Sequence, residues 1–347
     1  TQPDNVVQLG VPPVRIDIVT SLSGVTWEQV ESGCVSGTFG EVRTRDIGRE
    51  ELIANKRACG RHKDLADIEA LLGSGTTVVT PSVYSLYDPA SAPREVLSGI
   101  EATCRDGGSR LFVSGVDPGW GNDVLPLLAS GLCHSITEVR SQEIFDYSTY
   151  DQEFSVRELV GMGKPMDEVP PMVAPGVPTM VWGGQVAMMA RVLGVELERI
   201  EESVERLPLE TDVQNAMGHF EAGTQGALRF EVAGVPTRPA GGGDAGRRGT
   251  DSNPIVIEHV TRIDPSVAPH WPQPTTGVGS HRVVVEGDPR LEITVEAESE
   301  GGNRAAGGNA TAAMRLVAAI PWLLERPAGI YEATDVPIAP GTGRIKT

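Results

Sequence analysis

Acidic and aromatic side chains occur together at two places in the sequence where proton chemistry could take place. Asp117 and Asp123 could stabilise a cationic imine, although Asp123 could instead simply begin a helix, and the Tyr147 hydroxyl beside the Asp146 carboxylate could orient or protonate a substrate. The alternative for Tyr147 is a buried ring with one satisfied hydrogen bond. We predict Asp117, Asp146 and Tyr147 as the catalytic residues.

The residues around Asp117 suit the approach of a flat ring. Gly115, Pro118 and Gly119 would let the backbone come close to such a ring, and Trp120 could form an apolar wall. An ordinary turn explains the two glycines and the proline as well. The segment therefore predicts either a ligand-binding loop or a tight turn.

A βαβ unit is expected to position this segment. A strand at 77–80, a helix at 92–105 and a strand at 110–114 follow one another at the spacing of a crossover, which predicts parallel strands. Ligands of such sheets lie at the carboxyl ends of the strands. Thr80-Pro81-Ser82 ends the first strand and Gly115 follows the second, so both predict ligand contacts.

The rest of the chain predicts helices and an antiparallel sheet. Helices are expected at 180–193, closed by Gly194, and at 196–206. Four strand candidates are expected to form an antiparallel meander: 227–235, 254–263, 282–286 and 291–296. A short strand is expected at 143–145.

An apolar helix is expected at 310–324, close to the C-terminal end of the sequence. It would place Asn309 and Thr311 at its N-terminus. There they would contact substrate or simply cap the helix.

The composition excludes two classes of partner. The 347 residues carry 29 Lys+Arg against 47 Asp+Glu, a formal charge of −18, so no basic excess is present to bind a nucleic acid backbone. No apolar run reaches the roughly 18–20 residues that a membrane helix needs. The four cysteines show neither a C-x-x-C pair nor zinc-type spacing, which predicts reduced thiols, a cytoplasmic protein and no metal site.

Several motifs between about 73 and 340 occur together in one enzyme family. They are Ser74–Thr80, Gly115–Trp120, Asp146–Tyr150, Gly161–Pro165, Ala227–Val232, His270–Pro274 and Thr311–Arg315. With them the chain resembles the 2,4-diaminopentanoate dehydrogenase and native amine dehydrogenase family, distant relatives of dihydrodipicolinate reductase. The resemblance implies hydride transfer, with NAD or NADP as cofactor, between an amine and an imine or ketone.

The resemblance also implies how the site residues divide their work. A Rossmann-type domain would hold the cofactor, and an α+β domain with an open sheet would bind a small-molecule substrate and form a homodimer. The residues expected at the cofactor are Thr80, Pro81, Ser82, Gly115, Pro118 and Gly119. The residues expected at the substrate, besides the catalytic ones, are Trp120, Asn309 and Thr311.

Two features of the family pattern are absent from the sequence. The carboxylate expected after the first strand is missing, because 82–85 reads Ser-Val-Tyr-Ser and the first acid is Asp88. No G-x-G-x-x-G turn precedes position 74; the glycines at 33, 37 and 40 have the wrong spacing to put a pyrophosphate on a helix N-terminus.

The first 73 residues resemble a different family. The stretches 8–17, 47–57 and 60–68 are similar to the C-terminal part of a small nucleotidyltransferase-like protein of the toxin–antitoxin type. The resemblance implies that Asp17 matches a metal carboxylate and that Lys56 and Asp64 lie near a nucleotide. Because one carboxylate cannot hold two magnesium ions, no nucleotidyl transfer is expected.

These observations predict an α/β protein with a partial Rossmann-like parallel sheet and an α+β substrate domain with an open, mainly antiparallel sheet. The expected domains are 1–73 (nucleotidyltransferase-like), 74–122 with 305–347 (cofactor) and 123–304 (substrate and dimer). Two functions remain: an NAD(P)-dependent oxidoreductase, or a catalytically impaired dimeric scaffold that lacks the dinucleotide-binding glycine loop.

Overall fold

The computed structural model describes most of the chain after position 64 and parts of the first 64 residues. The described residues are 6–11, 14–19, 26–39, 42–46, 65–150, 152–237, 253–299, 302–342 and 344–345. The chain divides into two compact units, Thr1–Ala70 and Leu71–Thr347. No helix among the described residues is long and apolar enough to cross a membrane.

The first unit contains two hairpins and a short helix. Strands β1 (Val6–Val11) and β2 (Val14–Val19) pair antiparallel, as do β3 (Val35–Phe39) and β4 (Val42–Asp46). Helix α1 (Trp27–Gly33) lies between the hairpins. The sequence of 38–46 predicts a single strand, but the structure forms the β3–β4 hairpin there, because reversing the chain lets the two strands satisfy each other's backbone hydrogen bonds.

Three sequence expectations for this unit fall outside the described residues. These are a helix that the sequence of 49–58 predicts, and the expected positions of Lys56 and Asp64 near a nucleotide. Asp17 lies in β2 opposite Gln8, but its side chain is outside the described part of the chain.

The second unit begins with the end of a helix over 65–73, α2, and contains the predicted βαβ crossover. Strands β5 (Val78–Thr80) and β6 (Arg110–Val113) are parallel and are joined by helix α3 (Arg94–Gly107). Strand β15 (Gly329–Tyr331) pairs parallel with β6 on the other side. The parallel sheet predicted for the cofactor region is therefore confirmed.

A six-stranded mixed sheet forms the larger part of the second unit, in the order β14-β13-β7-β12-β11-β8. The bounds are β7 Ser135–Asp146, β8 Leu197–Pro208, β11 Gln225–Pro236, β12 Ile255–Arg262, β13 Gly279–Asp288 and β14 Leu291–Val295. A hairpin of β9 (Val213–Asn215) and β10 (Gly218–Phe220) stands apart. Only the β12–β7 pair of the mixed sheet is parallel, which confirms a mainly antiparallel sheet.

The predicted four-strand meander is wrong because β7 lies between β12 and β13. The segment expected to be a short strand at 143–145 is the end of this twelve-residue strand. Nearly all of its second half is buried, so it occupies the middle of the sheet, where both neighbours satisfy its backbone.

The helix predicted at 196–206 is also wrong, since Leu197–Pro208 is the edge strand β8. It pairs with β11 along its whole length, and Arg229 lies 3.4 Å from Glu205 across the pair. The side chain of Ile200 reaches towards Gly183 of the helix packed on the sheet. These tertiary contacts override the helix propensity of its glutamates and arginines.

Three helices pack on one face of the mixed sheet. They are α4 (Val124–Ser130), α5 (Val177–Leu193) and α6 (Arg304–Leu324). Helix α5 ends at Gly194 with φ +71°, as predicted, and its Met188 and Met189 are fully buried core residues. The main hydrophobic core lies between α5 and strands β11 and β12.

Helix α6 begins six residues before the predicted start. Asn303 caps it by accepting a hydrogen bond from the Ala306 backbone N–H at 2.9 Å. Gly307 lies inside the helix, at a position that only glycine fits, because a Cβ there would lie 2.5 Å from the Ala297 carbonyl oxygen. Asn309 and Thr311 are therefore inside α6 and do not cap it, which corrects the prediction that they stand at its N-terminus.

Candidate active site

A row of three ionisable side chains crosses the middle of the mixed sheet. Glu143 in β7 is the register partner of His259 in β12 and also of His281 in β13. Because side chains alternate along a strand, partners in register point to the same face. Glu143 Oε1 lies 3.9 Å from His259 Nδ1, and Glu143 Oε2 lies 3.4 Å from His281 Nε2.

Asp117 extends this row into the loop that follows β6. Its Oδ2 lies 3.0 Å from His259 Nε2, and its Oδ1 accepts a hydrogen bond of 2.5 Å from Trp182 Nε1 in α5. The His259 ring stacks on Phe230 with a centroid distance of 4.5 Å and contacts Trp182 edge-on. The imidazole is thus fixed on every side by two aromatic rings and two carboxylates.

Burial and the attraction between opposite charges shift the pKa values of Asp117 and His259 in opposite directions. Burial alone would raise the pKa of Asp117, but the His259 imidazolium close to it holds that pKa below its usual value. Burial would likewise lower the pKa of His259, and the attraction of Asp117 raises it instead. Each partner therefore stabilises the charged form of the other.

A small pocket of about 80 Å³ opens beside the row. It is lined by Val116, Glu143, Phe145, Tyr147, Tyr150, His281, Ala305, Gly308 and Asn309. Tyr147 and Tyr150 lie side by side, with ring centroids 4.9 Å apart. The wall combines one carboxylate, two phenols, an imidazole and an amide, so it can hydrogen-bond a polar group and move a proton.

Burial raises the pKa of Tyr147 well above its usual range, and the nearby Glu143 charge raises it further. Burial also raises the pKa of Tyr150, whose hydroxyl hydrogen-bonds Asn309. Both phenols therefore stay protonated at neutral pH and act as hydrogen-bond donors.

Asp146 lies next to this pocket in sequence and not in its wall. Its Oδ1 accepts a hydrogen bond of 2.7 Å from the Ser148 backbone N–H, which begins the turn after β7. Its register partner is Arg262, on the opposite face of the sheet from Glu143. Burial raises the pKa of Asp146. The structure separates Asp146 from Asp117 and Tyr147, and its catalytic role stays a prediction.

Trp120 and Thr311, two predicted substrate contacts, touch each other. Trp120 Nε1 donates a hydrogen bond of 3.0 Å to Thr311 Oγ1. Both line a larger, mostly apolar groove of about 640 Å³ beside α4 and α6, whereas Asn309 lines the small pocket. The Trp120 ring also contacts His281, 5.4 Å away between centroids, so it separates the two cavities.

The glycines after β6 are explained by the turn itself. A Cβ at Gly115 would lie 2.7 Å from the Pro118 carbonyl oxygen, and one at Gly119 would lie 2.0 Å from the Gly115 carbonyl carbon. After β5, Thr80 Oγ1 accepts a hydrogen bond of 3.0 Å from the Ser82 backbone N–H. Contact of these two loops with a cofactor stays a prediction.

Sequence reasoning missed Glu143, His259, His281 and Trp182. The alternating pattern of 139–145 would have placed Glu143 on a sheet face, but no pattern in one strand tells which residue of another strand lies beside it. Asp88, the first acid after β5, is 2% exposed and pairs with Arg191 at 2.9 Å. It is therefore not free to bind a substrate cation.

Asp117, Glu143 and His259 each offer one ligand atom, and these atoms lie within 4.8 Å of one another. Such a trio could hold a metal ion. Without an ion, the attraction of Asp117 raises the pKa of His259, whose ring lies between the two carboxylates.

Comparisons with known proteins place these observations in a family. The model of the 2,4-diaminopentanoate dehydrogenase C-terminal domain matches residues 122–343. An amine dehydrogenase of Streptomyces virginiae is 57% identical over 284 residues, which covers 81% of this chain and 75% of that protein. The 2,4-diaminopentanoate dehydrogenase of Acetoanaerobium sticklandii is 23% identical over 274 residues, 78% of this chain and 69% of that protein.

One solved structure has the same fold. The amine dehydrogenase from Mycobacterium smegmatis superposes with a TM-score of 0.56 at 16% sequence identity, covering 79% of this chain and 72% of that one. It supports the arrangement of a parallel sheet and a mixed sheet.

Proposed function

The chain belongs to the 2,4-diaminopentanoate dehydrogenase family of oxidoreductases, and from this we propose that it is an NAD(P)-dependent dehydrogenase that acts on a small amine or on the corresponding imine or ketone. The observation that carries the proposal is the small pocket, in which Glu143, Tyr147 and Tyr150 surround a space next to the carboxyl end of β6. The relatives' names support an amine as the substrate.

The residues present fit the nicotinamide end of such a cofactor. Strands β5 and β6 are parallel and end at one edge, where Thr80-Pro81-Ser82 and Gly115 begin the two loops. The second loop also supplies Val116 to the pocket wall, so a ring held at this edge would lie beside a bound substrate. We propose that Pro118 and Gly119 complete the ring contact.

The pyrophosphate end has no matching site among the residues that the structure describes. Before β5 these residues include no strand, glycine turn and helix in succession, which is the arrangement that binds a pyrophosphate. The nicotinamide cofactor, when bound, accepts or supplies the hydride.

The chain's own residues orient the substrate and manage the proton. Tyr147, whose hydroxyl hydrogen-bonds Thr261, and Tyr150, whose hydroxyl hydrogen-bonds Asn309, stay protonated and can turn a hydroxyl towards a polar atom of the substrate. Asp117 acts one step away, because it holds His259 as the imidazolium that faces Glu143. Trp120 closes the pocket on the side of the groove, and its hydrogen bond to Thr311 fixes the ring.

We also propose that the chain forms a homodimer through the face of the mixed sheet opposite the helices. This face carries a network in which Glu258, 1% exposed, pairs with Arg140 at 2.8 Å and with Arg229 at 2.7 Å. A two-fold interface places one patch against its own copy, and paired charges of both signs can meet without net repulsion. Light scattering of the purified protein gives the mass in solution.

Cofactor binding is tested by titrating NADPH and NADH and following energy transfer from tryptophan to the reduced nicotinamide. Binding in the micromolar range, followed by oxidation of reduced cofactor when ketone and ammonium are added, supports the dehydrogenase. Tyr147→Phe should lower kcat, and Tyr331→Phe is the control because its hydroxyl donates to the Pro327 carbonyl oxygen, outside the pocket. No binding at millimolar cofactor would favour the dimeric scaffold.

A further inference from the structure

The carboxylate missing after β5 has a counterpart elsewhere in the fold. We propose that Glu143 binds the positively charged nitrogen of the substrate, an ammonium or iminium group, in the small pocket. This inference deepens the proposed function and rests on it for the reaction, but the binding itself needs no cofactor.

The first observation is the arrangement of carboxylates and imidazoles in the row. Two carboxylates, Asp117 and Glu143, lie on either side of the His259 ring, at 3.0 Å and 3.9 Å from its two nitrogens, and Glu143 also lies 3.4 Å from His281 Nε2. Asp117 cannot contact a ligand, because its side chain is 0% exposed and its two oxygens face His259 Nε2 and Trp182 Nε1. Glu143 is therefore the carboxylate of the row that a ligand meets at the wall of the pocket.

The second observation is that the Glu143 side chain is more exposed than those of the two histidines. Its side chain is 18% exposed, in contrast to the other members of the row: 7% for His259 and 4% for His281. It is thus the member that a small solute reaches through the pocket. The distance of 3.9 Å to His259 is too long for a hydrogen bond, so Glu143 Oε1 keeps acceptor capacity for a ligand.

The third observation is the set of polar groups in the pocket wall. The hydroxyl of Tyr150 hydrogen-bonds Asn309, and His281 Nε2 is buried without a hydrogen-bond partner among the described residues. A volume of about 80 Å³ admits a polar head group. One charged acceptor among uncharged phenol and amide groups selects a monocation over a neutral isostere of the same shape.

The row also explains why an organic cation is favoured over a metal ion. His259 Nε2 faces Asp117 and Nδ1 faces Glu143, so both ring nitrogens point at carboxylates. A ring nitrogen that directs a hydrogen towards a carboxylate has no lone pair for a metal. Occupation by a divalent metal ion is the alternative that the experiment must separate.

The test uses isopropylammonium chloride and its neutral isostere 2-propanol on the full chain without cofactor, at about pH 8 and matched ionic strength. The readout is the nitrogen chemical shift of the His259 and His281 rings. We expect a saturable shift with isopropylammonium and none with 2-propanol or sodium chloride. Glu143→Gln should weaken binding roughly tenfold to a hundredfold, as loss of a charged hydrogen-bond acceptor does.

Glu138→Gln is the matched control. Glu138 lies on the same strand with a similar exposure of 15%, but it points to the other face and pairs with Arg140. We expect it to bind isopropylammonium like wild type. If circular dichroism shows that Glu143→Gln does not fold, Glu143→Asp takes its place. This variant keeps the charge but moves it back by one methylene, so it should bind isopropylammonium more weakly than wild type.

Three results would overturn the inference: unchanged binding in Glu143→Gln, an equal response to 2-propanol, or a divalent metal that remains after dialysis against chelator and is lost in Glu143→Gln. Failure of the proposed function is distinguishable. If the chain binds isopropylammonium through Glu143 but binds neither NADH nor NADPH, the result supports the cation site and contradicts the proposed dehydrogenase function.

Discussion

Asp117 and His259 lie 3.0 Å apart, from Oδ2 to Nε2, and this ion pair joins the two sheets of the second unit. Asp117 belongs to the loop after β6 in the parallel sheet, and His259 lies in β12 of the mixed sheet. A buried ion pair is stable only when both partners are present, because either charge alone would remain without compensation. The pair therefore couples the predicted cofactor edge to the substrate pocket.

Asp117→Asn should destabilise the protein by about 3–5 kcal/mol, because it leaves His259 buried without its counter-charge. The pKa of His259 should fall, since burial would then act with less opposition. Urea unfolding gives the first quantity, and the pH titration of the ring nitrogens by NMR gives the second. An unchanged His259 titration would contradict the assignment of the ion pair.

The same pair predicts a stability window in pH. The raised pKa of His259 means that its contribution is present at low pH and is lost as pH rises through that value. The lowered pKa of Asp117 means that its contribution is lost as pH falls through that value. The free energy of unfolding should therefore decline on both sides, and Asp117→Asn should lose the decline at high pH, because His259 then no longer gains stability from being charged.

Asp123 should make the protein less stable as pH rises. Burial raises its pKa to about 7, despite the attraction of Arg315. A carboxyl with a raised folded pKa loses its contribution between about pH 4 and about pH 7, by at most on the order of 4 kcal/mol. The hydrogen bond from the Tyr87 hydroxyl favours the carboxylate and reduces this amount.

Asp123→Asn removes this titration while its amide oxygen can still accept from the Val124 backbone N–H at the start of α4. Its stability should be less dependent on pH than that of wild type between about pH 4 and about pH 7. Urea unfolding across that range measures the slope. An equal slope in both proteins would show that Asp123 is ionised throughout.

Gly308→Ala should block the small pocket without harming the fold. Its Cβ would lie 3.8 Å from both the His281 and Phe145 rings, which is ordinary contact. Alanine is favoured over glycine inside a helix by about 1 kcal/mol, so the melting temperature should rise slightly. Isopropylammonium binding and kcat/KM should fall. Gly184→Ala in α5, with its nearest contact at 3.6 Å, is the control that should leave both unchanged.

The hydrogen bond between Trp120 and Thr311 should be measurable by a double-mutant cycle. Trp120→Phe and Thr311→Val each remove one partner, and the coupling in the free energy of unfolding should be about 1 kcal/mol. Because Trp120 closes the pocket, the single substitution should raise KM more than it lowers kcat. A coupling of zero would mean that the two side chains do not share the bond in solution.

The sequence alone determined the elements whose patterns are local. The βαβ crossover, helix α5 with Gly194 at its end, and most strands of the mixed sheet follow from apolar runs, alternation and glycine placement. The motifs that resemble the amine dehydrogenases identified the family, and the loop around Asp117 was predicted as a site because its unusual composition is visible in six consecutive residues.

The tertiary structure decided everything that depends on neighbours distant in the chain. It made 197–208 an edge strand, since pairing with β11 outweighs helix propensity, and it started α6 at Arg304, since Gly307 is packed against Ala297. It also brought Glu143 between His259 and His281, from three strands that a sequence cannot order. Local patterns fix which face a side chain takes, but only strand order fixes what it faces.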